Sequence, residues 1–334
     1  MKERELIDTI HALIGPEKIG SLLCGIGDDC AVVRKTKELV LLYSMDTLIE
    51  TVHFDRRWHP PGLLGKKAVS VNVSDIAAMG GRPCYLLFSL GLPSGFDEDW
   101  VLRLSKGVAE GCRRYDCALI GGDTVRSPEG VSLTLSVVGE MAKNQVLYRH
   151  GARAGDIVYV SGPLGLAAAG LALYTDNIGG KDEFSRLYGA HLDPTARVKL
   201  GRILAESGLV HAMMDLSDGL ATDLAHLCRQ SRLGARIFQK QLPFDPALDK
   251  AATLLGRDSL QWMISGGEDF ELLLTAPPGA TKKLQEVVAN SGHLLYPIGT
   301  ISQGHEVQLV SDGSTEGPLE RSIDFLGFDH FNPK

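Results

Sequence analysis

The residues in this chain best suited to chemistry are aspartates set at turns and at the ends of apolar runs. Asp28 and Asp29 lie in the glycine turn Gly25-Ile26-Gly27-Asp28-Asp29, Asp46 closes the apolar run 39–45, and Asp123 follows Ala118-Leu119-Ile120 and two glycines. Asp215 ends Ala212-Met213-Met214, and Asp218 stands at an expected helix start. Asp75 differs, embedded among Val71, Val73, Ile76 and Ala77. Carboxylates gathered round one cleft repel each other unless divalent cations neutralise them. Oxygen ligands without His or Cys companions select magnesium, calcium or manganese over zinc. Magnesium keeps waters and favours substrate phosphates as partners, so an all-aspartate site points to nucleotide chemistry.

Each of these residues also has an ordinary structural use. Asp218 suits a helix N-cap, as does Ser217. Asp28 and Asp29 suit a turn. Asp75 has the fewest such uses, because an ionised carboxylate among apolar neighbours is costly unless it is paired or metal-bound. A neutral carboxyl, or pairing with Lys66 or Lys67 just upstream, is its alternative.

Familiar nucleotide signatures are missing. The chain has no G-x-x-x-x-G-K-[ST] loop, no protein-kinase catalytic signature and no G-x-S-x-G. Gly25-Ile26-Gly27 is not a dinucleotide fingerprint, since Cys30 stands where the third glycine belongs. Gly162-Pro163-Leu164-Gly165 fits a tight turn, or a phosphate site at a helix N-terminus.

The elements that must hold these residues follow from the pattern. A helix is expected over 1–20, with Leu6, Ile7, Ile10 and Leu13 on one face, then a strand over 39–45 and a helix over 62–79 stopped by Gly80-Gly81. Further on come a strand at 85–92, a helix at 97–115, a short buried strand at 118–120 and another strand at 131–138. Past a linker near 149–156, a strand at 157–160 leads into an Ala-rich helix. Helices near 195–207, 217–231 and 282–289 and strands near 270–275, 294–301 and 306–310 complete the chain. The division is into two α/β halves, 1–148 and 149–334. Val71-Asn72-Val73-Ser74-Asp75-Ile76 is echoed by Met214-Asp215-Leu216-Ser217-Asp218-Gly219, and Gly121-Gly122-Asp123 by Gly266-Gly267-Glu268-Asp269.

Composition excludes several classes. The 334 residues are 44% apolar and 22% charged, enough for two ordinary cores. A net charge of -7 without like-charge blocks carries no nucleic-acid footprint. No run has the length of a membrane span, and the N-terminal residues show no signal-peptide pattern. Six cysteines in neither a zinc nor a disulfide spacing suit a reduced, cytoplasmic protein.

The ordered motifs carry a resemblance. The glycine turn, Ser44-Met45-Asp46-Thr47, His53-Phe54 and the run from Val71 through Asp75 to Gly80 stand in the order found in thiamine-monophosphate kinases. So do Leu119-Ile120-Gly121-Gly122-Asp123-Thr124, Arg149-His150-Gly151-Ala152, Asp215-Leu216-Ser217-Asp218-Gly219, Gly266-Gly267-Glu268-Asp269 and Gly327-Phe328-Asp329-His330-Phe331. The resemblance runs nearly end to end. It implies the two-domain α/β fold of the aminoimidazole-ribonucleotide-synthetase superfamily, with the N-terminal sheet pairing across a homodimer. It implies ATP and thiamine monophosphate as substrates and several Mg2+ ions as cofactors. Asp29, Ser44, Met45, Asp46, Asp75, Asp123, Asp215 and Asp218 are implied at the metals, and Gly122, Asp123, Arg149 and Ser217 at ATP. His53, Glu268 and Phe328 are implied at the thiamine phosphate. One departure is Met45, where the family has Thr: a main-chain carbonyl serves equally from either residue, a hydroxyl does not.

Among rivals of the same superfamily, synthetases acting on a ribonucleotide amide or on selenide share the aspartates. His53-Phe54 and the Gly-Phe-Asp-His-Phe series favour the thiamine enzyme, and Cys24, the first cysteine, comes late for a selenide enzyme. A nucleotide-binding scaffold without turnover is the rival of another class, and only Met45 leans that way.

Overall fold

The computed structural model describes residues 3–14, 19–178, 182–311 and 319–328. In chain order it contains α1 (Glu3–Ile14), β1 (Leu22–Cys24), β2 (Ala31–Arg34), β3 (Leu39–Ile49), α2 (Pro61–Ala78), β4 (Arg82–Leu92), α3 (Glu98–Arg114), β5 (Ala118–Arg126) and β6 (Ser132–Ala142). The second half contains β7 (Ile157–Val160), α4 (Leu166–Thr175), α5 (Ser185–Leu192), α6 (Val198–Ser207), β8 (Ala212–Asp215), α7 (Leu220–Ser231) and β9 (Gly234–Phe238). It closes with α8 (Pro246–Leu255), α9 (Ser259–Ser265), β10 (Leu272–Ala276), α10 (Thr281–Ala289), β11 (Tyr296–Ser302), β12 (Val307–Ser311) and β13 (Leu319–Ser322).

The strands form two sheets, one in each half. The first has the order β1-β2-β3-β6-β4-β5, the second β13-β12-β9-β11-β7-β10-β8. In β3, Val40, Leu42 and Leu48 are buried while Tyr43, Met45, Thr47 and Ile49 are exposed, so alternation puts one face inward and the other outward. The inward face receives α2, whose Leu64, Ala68, Val69 and Ile76 are fully buried. This helix is covered almost all round, because α3 and α6 pack against its other sides. Its core continues into the second half through Tyr159, Leu200, Met213 and Leu272. The opposite face of the second sheet packs on α7 through Val158, Met214, Leu224 and Ile237. At the junction, Gly201 of α6 lies so close to α2 that a Cβ there would come 2.1 Å from the Ala77 carbonyl oxygen, and one at Gly80 would meet the Ala205 Cβ at 2.5 Å.

Two expectations change. The strand bearing Asp46 does not stop there but runs to Ile49, since β6 pairs with it along its whole length from Leu39↔Ala142 to Ile49↔Ser132. The short buried strand at 118–120 is the nine-residue β5, exposed from end to end. Its apolar residues sit on the last strand of the sheet, where none of the described residues covers them; an apolar run reads the same whether its cover is its own chain or another surface. Of the helix expected over 1–20, residues 1–2 and 15–18 lie outside the described residues, as do Asp329, His330 and Phe331 of the closing motif. Among the described residues no helix is long and apolar enough to cross a membrane.

Candidate active site

The aspartates converge from both halves. Asp29 follows the glycine turn, Asp75 projects from α2, and Asp215 ends β8; each offers a carboxylate oxygen within 4.8 Å of the others. Asp46 on β3 joins them and is the strongest charged neighbour of Asp75. Local hydrogen bonds fix each one. The Ser44 hydroxyl donates to Asp75, and the Ser74 hydroxyl donates to Asp215 over 2.5 Å. The Asp46 N–H donates to the Asn72 side-chain carbonyl at 3.0 Å. Arg149 donates through Nε to Asp29 at 2.9 Å. The two echoed motifs therefore meet, although one is mid-helix and the other a loop before α7.

Electrostatics set the buried carboxylates of the cluster against one another. Burial and then the carboxylates of Asp46, Asp215 and Asp29 push Asp75 well above the carboxylate range. Burial and Asp29 raise Asp215 to about 7, and burial raises Asp29 against the pull of Arg149. Asp29 Oδ2 is buried with no hydrogen-bond partner. Such oxygens are costly to bury alone and suit a hard divalent ion. The lysine alternative for Asp75 falls away: Lys66 pairs with Glu110 at 3.0 Å and Lys67 with Glu268 at 2.7 Å.

Above the cluster opens a cleft of about 1680 Å3 lined by residues of both halves. That exceeds the roughly 300–1,000 Å3 of a pocket for one small ligand and leaves room for two. Asp46, Asp75, Asp215, Ser217 and Asp218 line it together with His53, Glu268 and Phe328. Main-chain hydrogen bonds bring three distant motifs to its wall. The Glu268 N–H donates to the Ser217 carbonyl at 2.7 Å, and the Phe328 N–H to the Asp218 carbonyl at 3.1 Å. Neither Ser217 nor Asp218 caps α7: Gly219 is its N-cap residue. The buried Asp223 carboxylate accepts from the Asp218 and Gly219 N–H groups at 3.2 and 3.1 Å. His53 Nδ1 accepts from the Ile49 N–H at 3.0 Å, so the proton of the neutral ring sits on Nε2.

Other residues singled out in the sequence are placed differently. Asp28 accepts from the Arg149 N–H at 3.2 Å and the Asp29 N–H at 3.0 Å, which makes it a turn-holding residue. Met45 borders the cleft, but its side chain is 64% exposed and alternates away from Asp46. Gly122 and Asp123 lie on β5; the register Asp46↔Leu135, Leu135↔Phe88, Phe88↔Gly122 puts three strand steps between Asp46 and Gly122. At a strand spacing near 4.8 Å this is about 14 Å. A Cβ at Gly122 would meet the Phe88 carbonyl oxygen at 1.8 Å, so glycine is needed there for the sheet itself. The α4 N-terminus, weighed as a phosphate site, is taken: the Gly165 N–H donates to Asp269 at 2.7 Å.

Sequence reasoning passed over Asp223, His191 and the stacked pair Trp58–Tyr174, whose ring centroids lie 4.9 Å apart, and named Lys67 only as a partner for Asp75. Asp223, five residues past Asp218 beside apolar Leu220 and Leu224, had the same signal as Asp75. The others become a group only when α2, α4 and α5 pack.

The chain matches the family profiles described as AIR synthase related protein, N-terminal domain, over residues 27–141 and AIR synthase related protein, C-terminal domain, over residues 153–312. It is 37% identical over 310 residues to the thiamine-monophosphate kinase of Escherichia coli strain K12, covering 92% of this chain and 91% of that one. It is 33% identical over 330 residues to the thiamine-monophosphate kinase of Bacillus subtilis strain 168, covering 97% and 98%. The solved structure of AaThiL complexed with AMPPCP and TMP superposes with a TM-score of 0.82 at 33% identity, covering 96% of this chain and 97% of that one.

Proposed function

The chain belongs to the thiamine-monophosphate kinase family, and from that premise we propose that it transfers the γ-phosphoryl group of ATP to the phosphate of thiamine monophosphate, releasing thiamine diphosphate and ADP. The observation that carries this reading is the convergence of Asp29, Asp75 and Asp215 below a cleft that also presents His53 and Glu268. The joint complex of AaThiL with AMPPCP and TMP supports the pairing of substrates. Residues 1–148 supply Asp29, Asp46, Asp75 and His53; residues 149–334 supply Arg149, Asp215, Ser217, Asp218, Glu268 and Phe328. The six cysteines are free thiols, in keeping with work in the cytoplasm.

No general base is needed. A phosphate monoester has a second pKa of about 6, so the acceptor oxygen is already anionic at neutral pH. That oxygen forms a bond to the γ-phosphorus, the bond to the β,γ-bridging oxygen breaks, and ADP leaves with the electron pair. The difficulty is the approach of two anions. We assign Asp29, Asp46, Asp75 and Asp215 to hold Mg2+, with the Ser44 hydroxyl orienting Asp75 and Asp218 available at the wall. Bound there, such ions supply charge neutralisation and a template for in-line transfer. Arg149, beside Asp29, adds a fixed positive charge for the polyphosphate, and Ser217 a hydroxyl on the same wall. The His53 Nε2–H suits the acceptor phosphate. The Glu268 carboxylate and the Phe328 ring suit the cationic thiazolium ring of thiamine.

Gly122 and Asp123 reach ATP by another route. Leu119, Ile120, Tyr85 and Leu87 are all 45% exposed or more on or beside β5, exposed apolar side chains of the kind that associate. We infer a homodimer in which this face and the open β5 edge meet a second copy and carry Gly122 and Asp123 to the partner's nucleotide. The test of the whole reading is a coupled measurement of ADP and thiamine diphosphate. Equal yields that require thiamine monophosphate and vanish with EDTA support it; nucleotide binding without transfer to thiamine monophosphate overturns it.

A further inference from the structure

Lys67 lies on α2 with its side chain fully shielded from solvent. Its ammonium is 2.7 Å from Glu268 Oε1 and 2.9 Å from Oε2, and 3.5 Å from the His53 carbonyl oxygen. On the other side of the same carboxylate, His191 Nδ1 stands 3.1 Å from Oε2. One cation therefore ties together the two residues assigned to the acceptor, which come from segments some 200 residues apart in the chain.

A stability role does not account for this arrangement. Removing two charges from water costs several kcal/mol per ion, and buried ion pairs are often replaced by apolar residues without loss. What a buried pair supplies is a defined geometry, and Glu268 needs one. Its φ is +67°, a left-handed conformation that a non-glycine residue adopts only when its surroundings enforce it. Burial alone would protonate its carboxylate, but Lys67 and His191 hold it well below the usual carboxylate range, so it faces the cleft as an anion. Lys67 also stands eight residues before Asp75 on one buried helix, a rise of about 12 Å. The same rigid element thus spaces the acceptor anchor from the carboxylate cluster.

We propose that Lys67 is a positioning residue for the acceptor: by holding the Glu268 carboxylate and the His53 main chain on one buried ammonium, it sets how tightly thiamine monophosphate is gripped while never touching it. This rests on the assignment of Glu268 and His53 to the acceptor made above. The residue differs in kind from the carboxylates below it, because its removal alters acceptor affinity and leaves the nucleotide end of the cleft intact.

The experiment is a double-mutant cycle on the full chain with Lys67→Met, Glu268→Gln and the combined variant, reading kcat, KM for thiamine monophosphate and Kd for ATP. Lys67→Met is expected to raise that KM on the order of 10- to 100-fold, far more than it lowers kcat, with ATP affinity within about twofold. Added to Glu268→Gln, it is expected to change KM by less than about twofold, since the close contacts to the Glu268 carboxylate are then gone and only the longer one to the His53 carbonyl, at 3.5 Å, remains. The combined variant removes both charges, so it keeps no unpaired ion; should Lys67→Met fail to fold, Lys67→Gln, which keeps a donor, carries the same expectation. An unchanged KM in the single variant, effects that multiply in the double, or a loss of ATP affinity equal to the loss of acceptor affinity each overturns the proposal. If Glu268→Gln itself leaves KM unchanged, the assignment of Glu268 fails first and Lys67 with it.

Discussion

Two places in this molecule carry aspartates assigned to the same phosphates, and they are built in opposite ways. Asp29 and Asp215 are buried where two domains meet, each held by a named partner. Asp123 stands on an exposed strand at the open end of a sheet. The first group is assembled by folding one chain, and hydrogen bonds from Arg149 and Ser74 of that chain fix its carboxylates in place. Asp123 is placed by the sheet but joined to nothing in the cluster. The contrast teaches that folding one chain preforms the floor, while the nucleotide role proposed for Asp123 depends on the inferred second copy.

The largest effect should come from the floor. Asp75→Asn is expected to lower kcat by at least about 10^3-fold, measured as thiamine diphosphate formed, because it removes the carboxylate at the centre of the cluster. Asp123→Asn should also inactivate, but a mixture of the two variants separates the regions. If Asp123 serves the partner's site, exchanged subunits recover about a quarter of wild-type activity, since half of the dimers then hold one intact site of two. No recovery after verified exchange would place Asp123 in its own protomer's site. Next in size, Ile120→Lys should shift sedimentation from dimer to monomer and lower activity in proportion to dissociation, leaving the fold seen by circular dichroism unchanged. A dimer that survives with full activity would remove β5 from the interface. The smallest effect is expected at Met45→Thr, with kcat within about threefold of the parent, because that side chain points to the outer face and only its main chain accompanies Asp46. A large gain would show that a hydroxyl at this position matters.

Much of this was legible beforehand, for a physical reason. Asp75 announced itself by its apolar neighbours, and α2 by a long apolar run that ends at Gly80-Gly81. Strand β7 and helix α10 were readable because short runs between turn residues have few other uses. β5 was misjudged because local composition does not say which surface covers a strand. Gly162-Pro163-Leu164-Gly165 left a phosphate site open because its occupant, Asp269, comes from about a hundred residues later in the chain. Lys67 looked like a partner for Asp75 on sequence proximity, and the helix turned it to Glu268.

The glycine contacts at the domain junction have a consequence for how this enzyme cycles. Gly201 lets α6 rest against the main chain of α2 beside Ala77, and Gly80 leaves no room for more than a hydrogen next to Ala205. Backbones in contact over a shared core cannot hinge without opening that core, and tightly packed interiors resist such strain. The cleft therefore works as a fixed vice whose jaws do not travel. Shutting out water during transfer is then expected to fall to its rim, the turn around residues 51–58 and the segment 326–328, with turnover paced by those small parts rather than by a swing of whole domains.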